Sequence, residues 1–317
     1  ETDRAALSRP EEIATVRLRV LHTIRTVYHT PATQSAYEAR LMPQSDRDQT
    51  CLEFRLTVRP PTPVTATDLP SGRVHTFRLD APHSEMMVFA ESLVETRLQD
   101  PFARLPWTDE EEFALPEGLL QRYADYLAFT ERVPDDPETD RIAHVARRQA
   151  GDGMASFLLT LTRMLHRVYI LASTQAAPPA LQPAFDQARD LRQDFLHLML
   201  AVCRRQGIPA RYVSGYFFPD GHRADIAVQV RAEGPEGRET IPLEGGTPPE
   251  ASMHAWIECL LPDERWHGFD PIHNLLANDA YIKVHYGQDA ADVAPLRGSY
   301  PGSLAATTEV SVRIQAE

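Results

Sequence analysis

Thiols are scarce in this chain of 317 residues: Cys51, Cys203 and Cys259 are the whole supply. They are odd in number and far apart, with no C-x-x-C and no Cys/His cluster, so the pattern suggests neither a disulfide framework nor a zinc site. A reducing, cytoplasmic setting is the default expectation. Long apolar runs are missing as well; no stretch reaches the roughly 18 consecutive apolar residues that a spanning helix needs. The opening ETDRAALSRPEE lacks the basic-then-apolar order of a secretory leader. Positive charge is in deficit, with 32 Lys and Arg against 45 Asp and Glu for a net charge of −13. That balance disfavours nucleic acid and anionic membranes as partners, and its simplest use is solubility. Internal repeats and low-complexity tracts are also lacking. What remains, 43% hydrophobic and 24% charged, is the composition of an ordinary globular protein.

Up to about residue 97 the pattern is β. VRLRVLHTIRTVYH, CLEFRLTVRP, VHTFRLD and EMMVFAESLVETRL alternate apolar and polar residues, with turn-rich breaks such as RPPTPVTATDLPSG between them. Several short strands of this kind predict a β-sandwich-like domain. From about 98 to 206 the period becomes helical, in EGLLQRYADYLAFTERV, ETDRIAHVARRQA and MASFLLTLTRMLHRVYILA. Thr108 and Glu111 have capping-box spacing, although Pro116 favours a helix that starts after it. AAPPALQP reads as a loop. A further helix is predicted in FDQARDLRQDFLHLMLAVCRRQG, where Phe195, Leu198, Met199 and Val202 share one face and Gly207 and Pro209 end it. Strands return in ARYVSGYFF, ADIAVQVRA, MHAWIECLLP, RWHGFDP and YIKVHY, and the Gly- and Pro-rich residues 231–250 read as an exposed loop.

The segment RQDFLHLMLAVCRRQGIPARYVSGYF, followed by MHAWIECLLPDERWHGFDPIHN, resembles the core of the transglutaminase-like superfamily. In that family a helix opens with a nucleophilic Cys, one strand carries a His in an H-A-W motif, and the next carries an Asp in a G-F-D-P motif. LHTIRTVYHTP, ARLMPQ and APHSEMMV resemble the N-terminal domain of its bacterial subgroup, and GQDAADVAPLRGSYPG resembles that subgroup's tail. The resemblance implies an α+β fold: a β-sandwich-like domain over residues 1–97, then a papain-like core over 98–317 with helices packed on an antiparallel sheet. The chemistry needs these residue types. A thiol nucleophile requires an imidazole in hydrogen-bond reach and a third group to orient that imidazole. A helix N-terminus favours the thiolate.

The departure lies at the nucleophile. Aligned on the helix, the family's Cys falls on Arg192 and its preceding Gly on Asp190, leaving Arg192, His254 and Asp270 as remnant triad positions. A guanidinium stays charged and does not attack carbonyls at physiological pH. Cys203 lies eleven residues along the same helix, about 16 Å away. Cys259, five residues after His254, belongs to the opposite strand face, and Cys51 to the β domain. Each reads as a small buried hydrophobe. Ser252 shares His254's strand face but reads as a solvated hydroxyl. Arg192 is expected to pair with Asp270 or with a ligand carboxylate. His222, Asp225, His267 and His273 are too scattered to name a metal site, no phosphate loop or cofactor motif occurs, and the Arg pairs at 147–148 and 204–205 read as solvated helix faces. The expectation is a pseudoenzyme that acts as a binding or scaffold subunit. The subgroup resemblance points to an ATP-grasp-like or alpha-E protein as its partner. The competing expectation is an active amide-bond acyltransferase or hydrolase that uses His254 and Asp270 with a displaced nucleophile.

Overall fold

The computed structural model describes residues 15–97, 100–106, 115–150, 153–173, 191–218, 226–233, 252–299 and 305–317. The Thr108–Glu111 spacing, the AAPPALQP stretch and residues 234–250 lie outside these.

The first β region folds as the alternation predicts. Its strands are β1 (Val16–Ala32), β2 (Ser35–Ala39), β3 (Gln49–Arg59), β4 (Val64–Leu69), β5 (Gly72–Leu79) and β6 (His83–Thr96). In β1 the buried residues Leu18, Val20, His22, Ile24, Thr26 and Tyr28 fall on every second position, as a strand with one buried face requires. Strands from the far end of the sequence complete both sheets. The order β3-β6-β1-β14-β8 brings in β14 (Ala306–Ala316) and β8 (Ile226–Glu233), and the order β13-β2-β5-β4 brings in β13 (Leu296–Ser299). The β region therefore extends past residue 97, because β1 pairs with β14 over the register Leu18↔Ala316 to Tyr28↔Ala306.

A third antiparallel sheet has the order β11-β10-β9-β7-β12. It is built from β7 (Ala210–Phe217), β9 (Ser252–Leu260), β10 (Trp266–Asp270), β11 (Leu275–Leu276) and β12 (Tyr281–Gly287). The inner face of β1 serves two cores. Ile24 and Tyr28 pack with Phe77 and Leu79 of the second sheet, whereas Leu18 and Val20 pack with Tyr216, Ile282 and Val284 of the third.

The helices cover the rest of that same face of the third sheet, since Tyr212, which meets them, and Tyr216, which meets β1, lie four residues apart on β7. They are α1 (Glu117–Arg122), α2 (Glu138–Ala150), α3 (Met154–Ser173) and α4 (Leu191–Arg205). Phe157, Leu158 and Leu161 of α3 and Phe195, Met199 and Val202 of α4 bury themselves against Tyr212, Ile257 and Phe269. Truncating one such Leu or Phe to Ala costs about 2–5 kcal/mol. Gly207, at φ 73°, ends α4: its N–H reaches the Arg204 carbonyl at 3.0 Å and that of Ile208 reaches Cys203 at 2.9 Å. This left-handed closure needs a residue without Cβ strain, which explains the glycine read from the sequence.

One predicted helix is cut short. EGLLQRYADYLAFTERV forms only α1 and a single 3-10 turn at Ala124–Tyr126. The Thr130 hydroxyl donates to Asp289 at 2.6 Å and accepts the Val133 N–H at 3.1 Å, so a tertiary tie replaces helical turns there. Of the Arg pairs, Arg148 is exposed as expected, but the first member of each pair departs from a solvated reading. Arg204 is buried and donates to the carbonyls of Ala128, Ala210 and Gln288, joining α4 to the loops at the end of the sheet. Arg147 is half-buried and donates to Gln206. Among the described residues no helix is long and apolar enough to cross a membrane.

Candidate functional site

Strand alternation sorts β9 into two faces. Ala255, Ile257 and Cys259 meet the helices, while His254, Trp256 and Glu258 share the other face. Trp256 is fully buried and spreads over both neighbouring strands. A Cβ on Gly215 of β7 would stand 2.8 Å from its ring, and one on Gly268 of β10 would stand 3.3 Å from it. The Trp of H-A-W and the Gly of G-F-D-P are thus one packing unit, which sets β10 beside β9 in the register Gly268↔Glu258.

Asp270 ends β10 with its side chain wholly buried. One oxygen, Oδ1, accepts the backbone N–H groups of Ile272 at 2.9 Å and His273 at 3.2 Å. The other, Oδ2, accepts His254 Nε2 at 2.7 Å, His273 Nδ1 at 2.8 Å and the Tyr281 hydroxyl at 2.8 Å. Burial by itself raises this carboxyl, but interaction with His254 and His273 outweighs it and holds Asp270 well below the usual carboxylate range. Burial and the Asp270 charge push Tyr281 far up, so it stays a neutral donor. Phe217 stacks on His273 with centroids 4.7 Å apart and lies 5.6 Å from His254. Nε2 is the His254 nitrogen that meets Asp270, and among the described residues no group bonds to Nδ1.

His273 was not legible as a site residue, and the structure corrects that reading. Pro271 turns the chain so that Asp270 and His273, three residues apart, meet. Ligand atoms of His254, Asp270 and His273 all lie within 4.8 Å of one another, the donor set of many metal centres, although here each is already engaged in a hydrogen bond. His267 instead bonds to Asp263 at 2.9 Å, and His222 and Asp225 lie outside the described residues.

Arg192 sits in the first turn of α4, exposed, on the wall of a cleft of about 330 Å³ that His254, Tyr212 and Ser214 also line. The expected pairing of Arg192 with Asp270 is not found, because imidazoles, Tyr281 and backbone N–H groups fill that carboxylate. Ser214 Oγ donates to the His285 carbonyl at 3.4 Å rather than to His254. Nothing is described of the Ser252 side chain. Cys203 and Cys259 are buried with sulfurs 3.8 Å apart in the helix–sheet core, and burial raises Cys259. Burial also pushes Cys51 up to about 11. A raised thiol is a poor nucleophile.

A second polar cluster lies further along the same face of β9. Glu258 is buried against Arg211 Nε at 2.7 Å and Lys283 Nζ at 2.6 Å, and Lys283 also reaches Asp46 at 3.0 Å. The Arg211 guanidinium lies 4.2 Å from the Trp266 ring centre and 3.7 Å from that of Tyr286. Burial opposes the charge on Glu258, but the two cations hold it down at about 2.

Comparison with known proteins agrees with this geometry. Residues 18–95 match the bacterial transglutaminase-like N-terminal region, and residues 175–271 match the transglutaminase-like superfamily. An uncharacterized protein of Mycobacterium leprae is 34% identical over 94% of this chain and 98% of its own length. One from Mycobacterium tuberculosis is 26% identical over 95% and 93%. A solved structure from Cytophaga hutchinsonii, described as a candidate cysteine protease, superposes with a TM-score of 0.63 at 20% identity, covering 96% of this chain and 91% of that one. The chain belongs to the transglutaminase-like superfamily, in the group that carries the bacterial transglutaminase-like N-terminal region.

Proposed function

We propose that this protein is a non-catalytic member of its family, a binding or scaffold subunit in which Arg192 occupies the position of the nucleophile. The observation that carries this reading is that Arg192, at the start of α4, and His254, oriented by Asp270, line one cleft. In this reading His254 and Asp270 keep the pairing of a base with its orienting carboxylate, while Arg192, on the wall of the same cleft, is a permanent cation that cannot form an acyl intermediate. The cysteines offer no substitute, since Cys203 and Cys259 are sealed in the core. The cleft and the surface around it then serve recognition, a use that a fold can keep apart from its chemistry. The family resemblance names an ATP-grasp-like or alpha-E protein of a peptide- or amide-forming system as the partner, without a cofactor of this chain's own.

The experiment is co-expression with such neighbours, purification through a tag on this chain, and assay of glutamine and peptide substrates for transamidation or hydrolysis. A stable complex without turnover by this chain supports the reading. Recovery of the chain alone, with partner activity unchanged on its addition, contradicts the scaffold role. A second reading, an active amide-bond enzyme with a displaced nucleophile, has Ser214 as the described aliphatic hydroxyl on the cleft wall. Turnover that disappears in Ser214→Ala would establish it.

A further inference from the structure

We infer that the cleft between α4 and β9 binds the free carboxylate of a small N-acylated amino acid or peptide end, with Arg192 as its counter-ion. This rests on the non-catalytic reading of the same site. Charge is the first argument. The chain carries a net charge of −13, yet no Asp or Glu is among the described residues that line this cleft, whereas Arg192 and the positive end of α4 face it. The guanidinium has no ion-pair partner among the described residues, and its planar fork suits a carboxylate.

The second argument is His254, which is more than nine-tenths buried, lines the cleft, and has Nδ1 without a partner among the described residues. With Nε2 engaged by Asp270, Nδ1 is the nitrogen left for whatever enters: it accepts the amide N–H next to a terminal carboxylate when the ring is neutral and donates to the carboxylate itself when the ring is charged. The third is size and lining. About 330 Å³, walled by Leu196, Met253 and Val293, fits one residue with an apolar side chain rather than a folded surface.

The test uses the full chain and calorimetric titration with N-acetylleucine, with N-acetylleucine amide as the uncharged control. The acid is expected to bind more tightly than the amide by about tenfold or more, the scale of a charge-assisted pair. Arg192→Gln should remove that difference while leaving the unfolding midpoint in place, Arg192→Lys should restore part of it, and His254→Phe should weaken acid and amide together. Equal binding of acid and amide, binding unchanged in Arg192→Gln, or no binding by a folded chain each overturns the inference while leaving the non-catalytic reading untouched. Deacylation of either probe would instead overturn the reading beneath it.

Discussion

The two polar clusters on one face of β9 are four residues apart in sequence and opposite in character. Around Glu258 every charge is answered: Arg211 and Lys283 flank the carboxylate, Asp46 holds Lys283, and Trp266 and Tyr286 enclose Arg211. Around His254 the carboxylate of Asp270 is equally well answered, but the imidazole keeps one nitrogen for the cleft. A closed network ties three strands together, β7, β9 and β12. An open one keeps a nitrogen, His254 Nδ1, without a partner among the described residues. Burial alone does not separate the two; the unused atom does.

Substitution should separate them by size of effect. Glu258→Gln leaves Arg211 buried without its counter-charge, and the loss of one member of such a pair costs about 3–5 kcal/mol, readable by urea unfolding. Its pH dependence has a definite sign. The folded Glu258 carboxyl lies at about 2 against an ordinary 4.5. Its contribution is therefore full above pH 4.5 and lost as pH falls from 4.5 through 2, on the order of 3 kcal/mol in all. In Glu258→Gln that acid limb disappears, while the limb that belongs to Asp270 remains. An unaltered limb would mean that the closed network is not held by charge.

Gly215→Ala should have a smaller effect, felt by both clusters. Its Cβ would stand 2.0 Å from the Ile282 carbonyl and 2.8 Å from the Trp256 ring, and overpacking of this kind costs about 1–3 kcal/mol. A wild-type unfolding midpoint would show that β12 yields without disturbing Trp256. Smallest of all is Arg192→Gln. The side chain is exposed and does not touch Asp270, so unfolding should shift by no more than about 0.5 kcal/mol. A larger loss would place Arg192 with the structural residues rather than with the open cluster.

The open cluster was half read from the sequence, and the closed one was not read although it left a trace. H-A-W and G-F-D-P were read through the family resemblance, and the packing of Trp256 against Gly215 and Gly268 is the geometry behind them. His273 and Tyr281 escaped because a turn after Pro271 and the pairing of β12 with β7 bring them to Asp270, and neither shows as a spacing. Arg211 and Glu258 did leave a signal: each is the one charge in an apolar strand, ARYVSGYFF and MHAWIECLL. Cys203 and Cys259, 56 residues apart, meet only through the packing of α4 on β9. The boundary at residue 97 marks where the first β segment ends, but strand register, not local composition, returns β14 and β13 to its sheets.

The position of Arg192 relative to His254 is tested most directly by placing a thiol there. At pH 7, Arg192→Cys is expected to react with iodoacetamide at least about tenfold faster than Cys51, Cys203 or Cys259 in the same chain, because the start of α4 and an imidazole lining the same cleft both favour thiolate. A rate no higher than that of a free model thiol would contradict the account and remove Arg192 from the site.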